Sequence, residues 1–416
     1  MLARKCVGQA YKPSSRIFAL MVNFKSMVND CIQAGILNDC STLRRLSKLT
    51  YSGLKKYPVP SYYRLCAISK AAGILASRKK SMRRGVPTKN PYMTAPNLVS
   101  CYGFIITEGG KLRIPIDNRV YEEIELNRHT LDEVLSDGVK VNSFSLTNGT
   151  LSLCITKNVD DAAPFSGAVG IEGNSTGLAV AGSGGIVQYD MRAVVKIKKT
   201  TNEIISSFRR NDDRIKRKIV EKYSRRRLNR TANLIHSVTR DVIESALQTG
   251  SVIFFAETQR SGGKPVAYVN KWTNAWQFGE VKRQIEYKAR WKGIVALRLR
   301  KTQISDSVAC PACGERLPRK RDRVGGALSC TRCSSKIENA FYRALQLAES
   351  GWVRFAQSLP QLVAEGGAVE AMNEDRAANA KVLRVDALKF ARSDYAGRTE
   401  IMHRAYALGG PASGNH

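Results

Sequence analysis

The sequence predicts an α+β multidomain chain, and three observations carry that prediction. Apolar residues recur at helical spacing near the start, short β-prone runs between turn residues follow, and a strand–helix alternation then ends in a tight four-cysteine pattern. At 416 residues, 43% hydrophobic and 25% charged, the chain has ordinary globular composition. Its length corresponds to roughly two to four domains. Lys and Arg number 67 against 35 Asp and Glu, a formal net charge of +32. That excess argues against an enzyme of small metabolites and for a polyanionic partner. Residues 352–416 hold eight Lys/Arg against seven Asp/Glu, so nearly all of the excess lies before them.

The elements follow in order. Ile17, Leu20, Met21, Phe24, Met27 and Val28 form an amphipathic stripe. Pro58 and Pro60 interrupt it, and Ser61 is expected to cap a second helix that runs into Arg78, Lys79, Lys80, Arg83 and Arg84. Such a run is either a solvated helix end or a phosphate contact; the regional charge favours phosphate. Val99–Ile106, Lys111–Ile116, Ser143–Leu146 and Leu151–Ile155 read as strands of a small antiparallel barrel or sheet. The first dozen residues are expected to add a strand, which makes the helical segment an insertion. Ala168–Ile171, ending at Glu172, and Leu178–Ala181 read as a hairpin. Residues 203–230 read as a very basic helix, with Arg209, Arg210, Arg214, Lys216, Arg217, Lys218, Arg225, Arg226, Arg227 and Arg230 as candidate nucleic-acid contacts. An amphipathic helix follows over 231–249 with Gly250 as its cap. Ser251–Ala256 is a buried-type strand ending at Glu257. A helix from about Trp272 to Trp291 and a strand over Ile294–Leu299 complete the unit. The Ala-rich tail reads as a peripheral helical extension.

No apolar run approaches the roughly 20 residues that span a bilayer. The apolar face of the basic helix is too thin for a membrane surface. Met1 to Ser15 lacks the compact apolar stretch of a secretory signal. A cytoplasmic, nucleoid-associated protein without a membrane partner is therefore expected.

Cys310-Pro-Ala-Cys313 and Cys330-Thr-Arg-Cys333 form two C-x2-C pairs separated by sixteen residues. Two-residue spacing aims both thiolates of a pair at one ion, and two pairs complete a closed tetrahedral set, the structural zinc type. Arg316, Arg319, Lys320, Arg321 and Arg323 lie between the pairs and are expected to face phosphate. The remaining six cysteines have no metal spacing and read as small apolar residues.

Glu172 and Glu257 each close a strand, and Glu338 follows the cysteine ribbon at the start of a helix over Asn339–Glu349. Ligands of open α/β sheets gather beyond the carboxyl ends of strands. Three acids so disposed are what a two-metal phosphodiester hydrolase needs, with Mg²⁺ on hard oxygens; Glu338 is equally a charge favoured by a helix N-terminus.

Gly170-Ile171-Glu172 with Leu178-Ala179, Arg225-Arg226-Arg227, Val252 through Glu257, Trp276-Gln277-Phe278 with Tyr287-Lys288-Ala289, and Ser307 through Gly314 together resemble TnpB, an RNA-guided nuclease family related to the miniature type V CRISPR effectors. The likeness is specific from about 168 to 350, loose before that, and does not cover the tail. It implies a wedge-like β-barrel (1–15 and 86–160) with a helical recognition insertion (16–85). It also implies a RuvC-type RNase H-like domain (165–305 and 336–355) interrupted by a zinc ribbon (306–335), followed by an extension (356–416). It implies a guide RNA and target double-stranded DNA as partners.

The chain departs from the family at the acids. The first motif, Gly-Ile-Asp with Gly two residues on, reads Glu172 and Asn174 here. Glu257 matches the second acid. In the third motif, Asp-x-Asp-x-Asn-Ala-Ala, ungapped alignment puts Glu338 on the first Asp, Ala340 on the metal-ligand Asp and Tyr342 on the Asn. A shift of two makes Glu338 the ligand and puts Ala340 on the Asn. Asp to Glu adds roughly 1.5 Å of reach, and misplacement of about 1 Å costs on the order of a hundredfold in rate; Ala removes a ligand outright. A nuclease-deficient, RNA-guided DNA-binding protein acting by target occupancy, such as transcriptional repression, is expected, with structural zinc. Mg²⁺ is expected only if the site is active. The alternatives are an active RNA-guided endonuclease with a rearranged site, in which Asp375 is a further candidate acid, and an unguided zinc-ribbon nucleic-acid-binding protein.

Overall fold

The computed structural model describes residues 2–160, 165–174, 177–182, 185–208, 213–257, 277–317, 327–358 and 382–386. They form two compact units, one over Leu2–Asn158 and one from Val159 onward.

The first unit opens with strand β1 (Leu2–Ala10), and helices α1 (Ser15–Leu37), α2 (Leu43–Thr50) and α3 (Ser61–Arg83) follow before β2 (Leu98–Ser100). Ser14 caps α1, its Oγ accepting from the Ile17 N–H at 3.2 Å. The stripe from Ile17 to Cys31 is buried as its spacing demands. Ser61 is the first residue of α3 and not its cap; Pro60 holds that position, where its missing N–H costs nothing. Strands β3 (Ile105–Ile106), β4 (Lys111–Asp117) and β5 (Val120–Glu125), helix α4 (Arg128–Val134), and strands β6 (Val139–Leu146) and β7 (Thr150–Asn158) complete the unit. The sheets are β1-β7-β6-β2 and β3-β4-β5, with no closed barrel among the described residues. The first residues do supply a strand, antiparallel to β7, so the helical segment is inserted between strands of one sheet.

The second unit is built on β8 (Gly167–Gly173), β9 (Gly177–Gly182), β10 (Gly185–Asp190), β11 (Ser251–Ala256), β12 (Ala296–Leu299) and β15 (Val382–Asp386), in the order β12-β11-β8-β9-β10-β15. β8–β9 and β9–β10 are antiparallel; β8–β11, β11–β12 and β10–β15 are parallel. Helices α5 (Arg192–Ser207), α6 (Asp213–Gln248) and α7 (Phe278–Trp291) and the final helix α8 (Asn339–Ser358) join it. Between β12 and α8 lies the two-stranded hairpin of β13 (Ala327–Ser329) and β14 (Lys336–Glu338). The tail reads differently from expectation: residues 382–386 are a strand on the sheet edge, not helix. Of the basic helix expected over 203–230, residues 203–207 end α5, and the part from Asp213 runs on into the amphipathic stretch as one 36-residue helix, α6.

Alternation along the strands sorts this core into two faces. Val169, Ile171, Ile253 and Phe255 pack with Leu234, Val238, Val242 of α6 and Val281, Ile285 of α7. Ala168, Val252 and Phe254 pack on Leu347, Ala348 and Trp352 of α8. Gly170 and Glu172 share the α8 face. A Cβ at Gly170 would lie 1.9 Å from the Ala344 carbonyl oxygen and 2.6 Å from the Ala348 nitrogen, so the strand and helix backbones touch there.

One half-buried lysine gives this unit a pH signature. Lys288 of α7 donates to the His236 carbonyl oxygen (2.9 Å) and to Thr239 Oγ1 (2.7 Å) on α6. Burial, reinforced by Arg240, lowers its pKa to about 7. Burial likewise holds His236 at about 4, so His236 stays neutral through this range. The unfolded chain binds the Lys288 proton below about 10.4, whereas the folded chain binds it only near 7. This contribution to stability therefore falls as pH drops from about 10 to about 7. Lys288→Met is expected to flatten that slope, read as melting temperature at pH 7 and pH 9; an unchanged slope contradicts the assignment.

Candidate functional site

The four cysteines converge. Their sulfurs all lie within 4.8 Å of one another, with Cys310–Cys333 at 3.7 Å and Cys313–Cys330 at 3.5 Å. A tetrahedral ion with metal–sulfur bonds near 2.3 Å separates its ligands by about 3.8 Å, so the set fits such an ion. The two knuckles are built alike. Each turns through a residue with positive φ, Gly314 (+75°) and Ser334 (+57°), whose N–H returns to the carbonyl of the first cysteine at 2.9 and 3.0 Å. Backbone amides of Ala312 and Cys313 donate to the Cys310 sulfur, the arrangement that steadies thiolate ligands.

The ribbon is joined to the sheet through an apolar cluster. Val308, Cys310, Leu317, Leu328, Cys330 and Ile337 pack with Ala179 and Ala181 of β9 and with Ala340, Phe341 and Ala344 of α8. Arg316, expected to face phosphate, is exposed and also has a partner within the protein. Its Nη1 pairs with Glu349 of α8 at 2.9 Å, and Glu349 also accepts from the Ala309 N–H. Arg319, Lys320, Arg321 and Arg323 lie outside the described residues.

The carboxylates do not assemble in the same way. Among the described residues, the cysteines are the only converging group of three or more potential metal ligands. Glu172 is on the α8 face of β8, its side chain 17% exposed, with Arg343 Nη1 3.6 Å from Oε1. Burial raises its pKa; Arg343 and then Lys282 oppose that rise. Lys282 of α7 is itself buried, which lowers its pKa, and its Nζ donates to the Ala256 carbonyl oxygen at the end of β11 (2.8 Å). Glu257, just past that strand end, lies 3.7 Å from Arg300. Glu338 is not a helix residue; it ends β14 and pairs across the hairpin with Ala327. Ala340 opens α8 at 6% exposure inside the apolar cluster. Glu172 and Glu257 each lie beside an arginine, and the three acids do not converge, so as placed they do not form a divalent-ion cage. Asp375 lies outside the described residues.

The basic residues separate into two surfaces, one in each unit. Arg78, Lys79, Lys80, Arg83 and Arg84 form the end of α3 and its cap. There the positive side chains also suit the helix dipole. Arg78 donates to Asn90 Oδ1 (2.8 Å), and Lys79 lies 3.6 Å from Asp39. On α6, every buried residue lies at or beyond Thr231. The stretch from Asp213 to Arg230 carries nine Lys/Arg against two acids and is mostly solvent-facing. Arg214, Lys216, Arg217, Lys218, Arg225, Arg226 and Arg230 are exposed and Arg227 is half-buried; Arg225 pairs with Glu221 at 3.3 Å. Arg209 and Arg210 lie outside the described residues, as do Trp272 and Trp276. Tyr63 is core: it is fully buried, and its hydroxyl donates to the Pro115 carbonyl oxygen (2.8 Å).

No protein-family model matches the chain. The TnpB-like protein MJ0751 of Methanocaldococcus jannaschii is 24% identical over 164 residues, which is 36% of this chain and 56% of the relative's length. The fold is similar to that of Cas12f1 in a Cas12f1–sgRNA–target DNA complex, with TM-score 0.54, 13% identity, and coverage of 80% of this chain and 83% of that one. A CRISPR-Cas12f ternary complex gives 14% identity over 80% of this chain and 81% of that chain, at a TM-score of 0.36. By sequence the chain resembles the TnpB-like family, and by fold it resembles a miniature type V effector.

Proposed function

We propose that the chain is an RNA-guided protein that binds double-stranded DNA and acts by occupying its target, with transcriptional repression as the outcome. The sheet order β10-β9-β8-β11-β12, antiparallel then parallel, supports a RuvC-type RNase H-like reading of the second unit. The cysteine geometry supports structural zinc in the ribbon. The exposed basic half of α6 and the end of α3 supply sequence-independent backbone contacts for a guide and its heteroduplex.

The observation that carries the non-cleaving reading is Ala340. In the ungapped alignment Ala340 falls on the third acid, and its methyl group packs in the cluster of Ala179, Ala181, Phe341 and ribbon side chains. This apolar wall offers no oxygen to a metal ion. The binding surfaces carry their charge in full while the hydrolytic site lacks a ligand.

The test is the RNA that accompanies the protein. One dominant structured transcript is expected, and a DNA duplex matching it should be bound in preference to a scrambled one. A mixture without enrichment indicates unguided packaging and contradicts the proposal. Replacing Lys216, Arg217, Arg225 and Arg226 with Gln should weaken binding about equally across sequences. It should also lower the slope of log affinity on log salt by roughly 3; an unchanged slope removes α6 from the interface.

A further inference from the structure

Glu172 is a mostly buried carboxylate whose nearest described counter-charge is supplied by the chain itself. On α8, Ala344, Leu347 and Ala348 press on Gly170. Two residues further along β8, on the same face, the side chain that meets Glu172 from the helix is Arg343, one turn back from Leu347. Lys282 approaches from α7, and its ammonium is anchored at the Ala256 carbonyl oxygen, beside the strand end that carries Glu257. Two helices on different sides of the sheet thus deliver fixed cations to the ends of the two acid-bearing strands.

We propose that Arg343, with Lys282, is a built-in counter-ion that takes the place of a divalent ion at the carboxyl end of this sheet, so that the site is closed to metal by the chain's own charges. The inference rests on the non-cleaving reading and goes further, because it makes the loss of metal binding twofold. Restoring the missing acid would not be enough. A divalent ion bound by Glu172 would lie beside the Arg343 guanidinium, 3.6 Å from Oε1, and would also feel the Lys282 charge, so like-charge repulsion opposes it. The gain for the fold is that Glu172 keeps its charge partner without an ion. Arg343 suits the role because its half-exposed side chain keeps its charge partly solvated while it reaches the mostly buried Glu172.

The test uses the full-length protein and Mn²⁺ as probe, with binding read by electron paramagnetic resonance. Wild type and Ala340→Asp are expected to show no site dependent on Glu172. Ala340→Asp/Arg343→Ala is expected to gain one, bound at least roughly tenfold more tightly than by Ala340→Asp. Ala340→Asp binding Mn²⁺ as tightly as the double variant overturns this inference and leaves the non-cleaving reading intact. Wild type binding Mn²⁺ through Glu172 overturns both. Ala340 is buried, so its aspartate variant can fail to fold; a second measurement then decides. Arg343→Met should lower the melting temperature by roughly 5 °C in wild type and by almost nothing in a Glu172→Gln background. An equal loss in both backgrounds assigns Arg343 a packing role only and overturns the proposal.

Discussion

Cys333→Ser is expected to release the ribbon from the second unit. Cys313 and Cys333 are the outer members of their pairs, whereas Cys310 and Cys330 are buried in the apolar cluster. Removing an outer sulfur therefore removes a ligand with little loss of packing. The consequence extends beyond the ribbon because the cluster it helps to form also holds Ala340, Phe341 and Ala344 of α8 against β9. Metal binding in small thiolate sites is folding free energy. A loss of at least about 3 kcal/mol is expected, a fall of roughly 6–12 °C in melting temperature for a unit of this size. A strong chelator should reproduce the shift in wild type and add nothing in the variant. Metal analysis should find one zinc per chain, and none in the variant. Wild type without zinc, or a variant that melts with wild type, contradicts the assignment.

Gly170→Val is expected to cost as much by a different route. The added carbon would overlap the Ala344 carbonyl oxygen and crowd the Ala348 nitrogen, both of them helix backbone. No side-chain rotation relieves such a contact, so α8 must move off β8. Overpacking a rigid site costs about 3 kcal/mol or more, again roughly 6–12 °C. The same movement would part Arg343 from Glu172, two residues along the strand. Gly73→Ala is the control. A Cβ there meets nothing within 4 Å, so the change is expected to be neutral or to stabilise α3 by up to about 1 kcal/mol. Gly170→Val melting within about 2 °C of wild type contradicts the close contact between strand and helix.

The ion pair at Glu172 shows where sequence reading reached and where it stopped. Stripes at helical spacing and the C-x2-C pairs declare themselves locally, so α1, the hairpin of β8 and β9, and the metal-ligand set were legible. Elements without a local pattern were not. β5 reads Val-Tyr-Glu-Glu-Ile-Glu and buries only Ile124, and α4 is seven residues long. The join within α6 has no local signal because its first half is strongly basic and mostly exposed and its second amphipathic, which reads as two helices though no backbone break separates them. β15 lies in an Ala-rich stretch and pairs at the sheet edge, a long-range fact. Ser61 was taken for a cap because its side chain suits one, but Pro60 sets the backbone first. The pairing of Arg316 with Glu349 has no local pattern either, since the two lie thirty-three residues apart.

Arg343 carried a signal that went unused. In the ungapped alignment of the third motif it falls on the first of the two closing alanines, so a long cation stands where the family has a methyl group. The substitution at Ala340 and the one at Arg343 are three residues apart, on neighbouring positions of one helix face. Together they are the two positions of α8 on which the proposed exchange of an ion for a side chain rests.

The most direct measurement of the account takes the ribonucleoprotein as purified and a DNA duplex matching its co-purified transcript, in magnesium at ordinary millimolar concentration. The account predicts stable, sequence-dependent retention of the duplex with both strands intact, unchanged when calcium replaces magnesium. Strand scission that requires the metal and disappears in Glu257→Gln would contradict it.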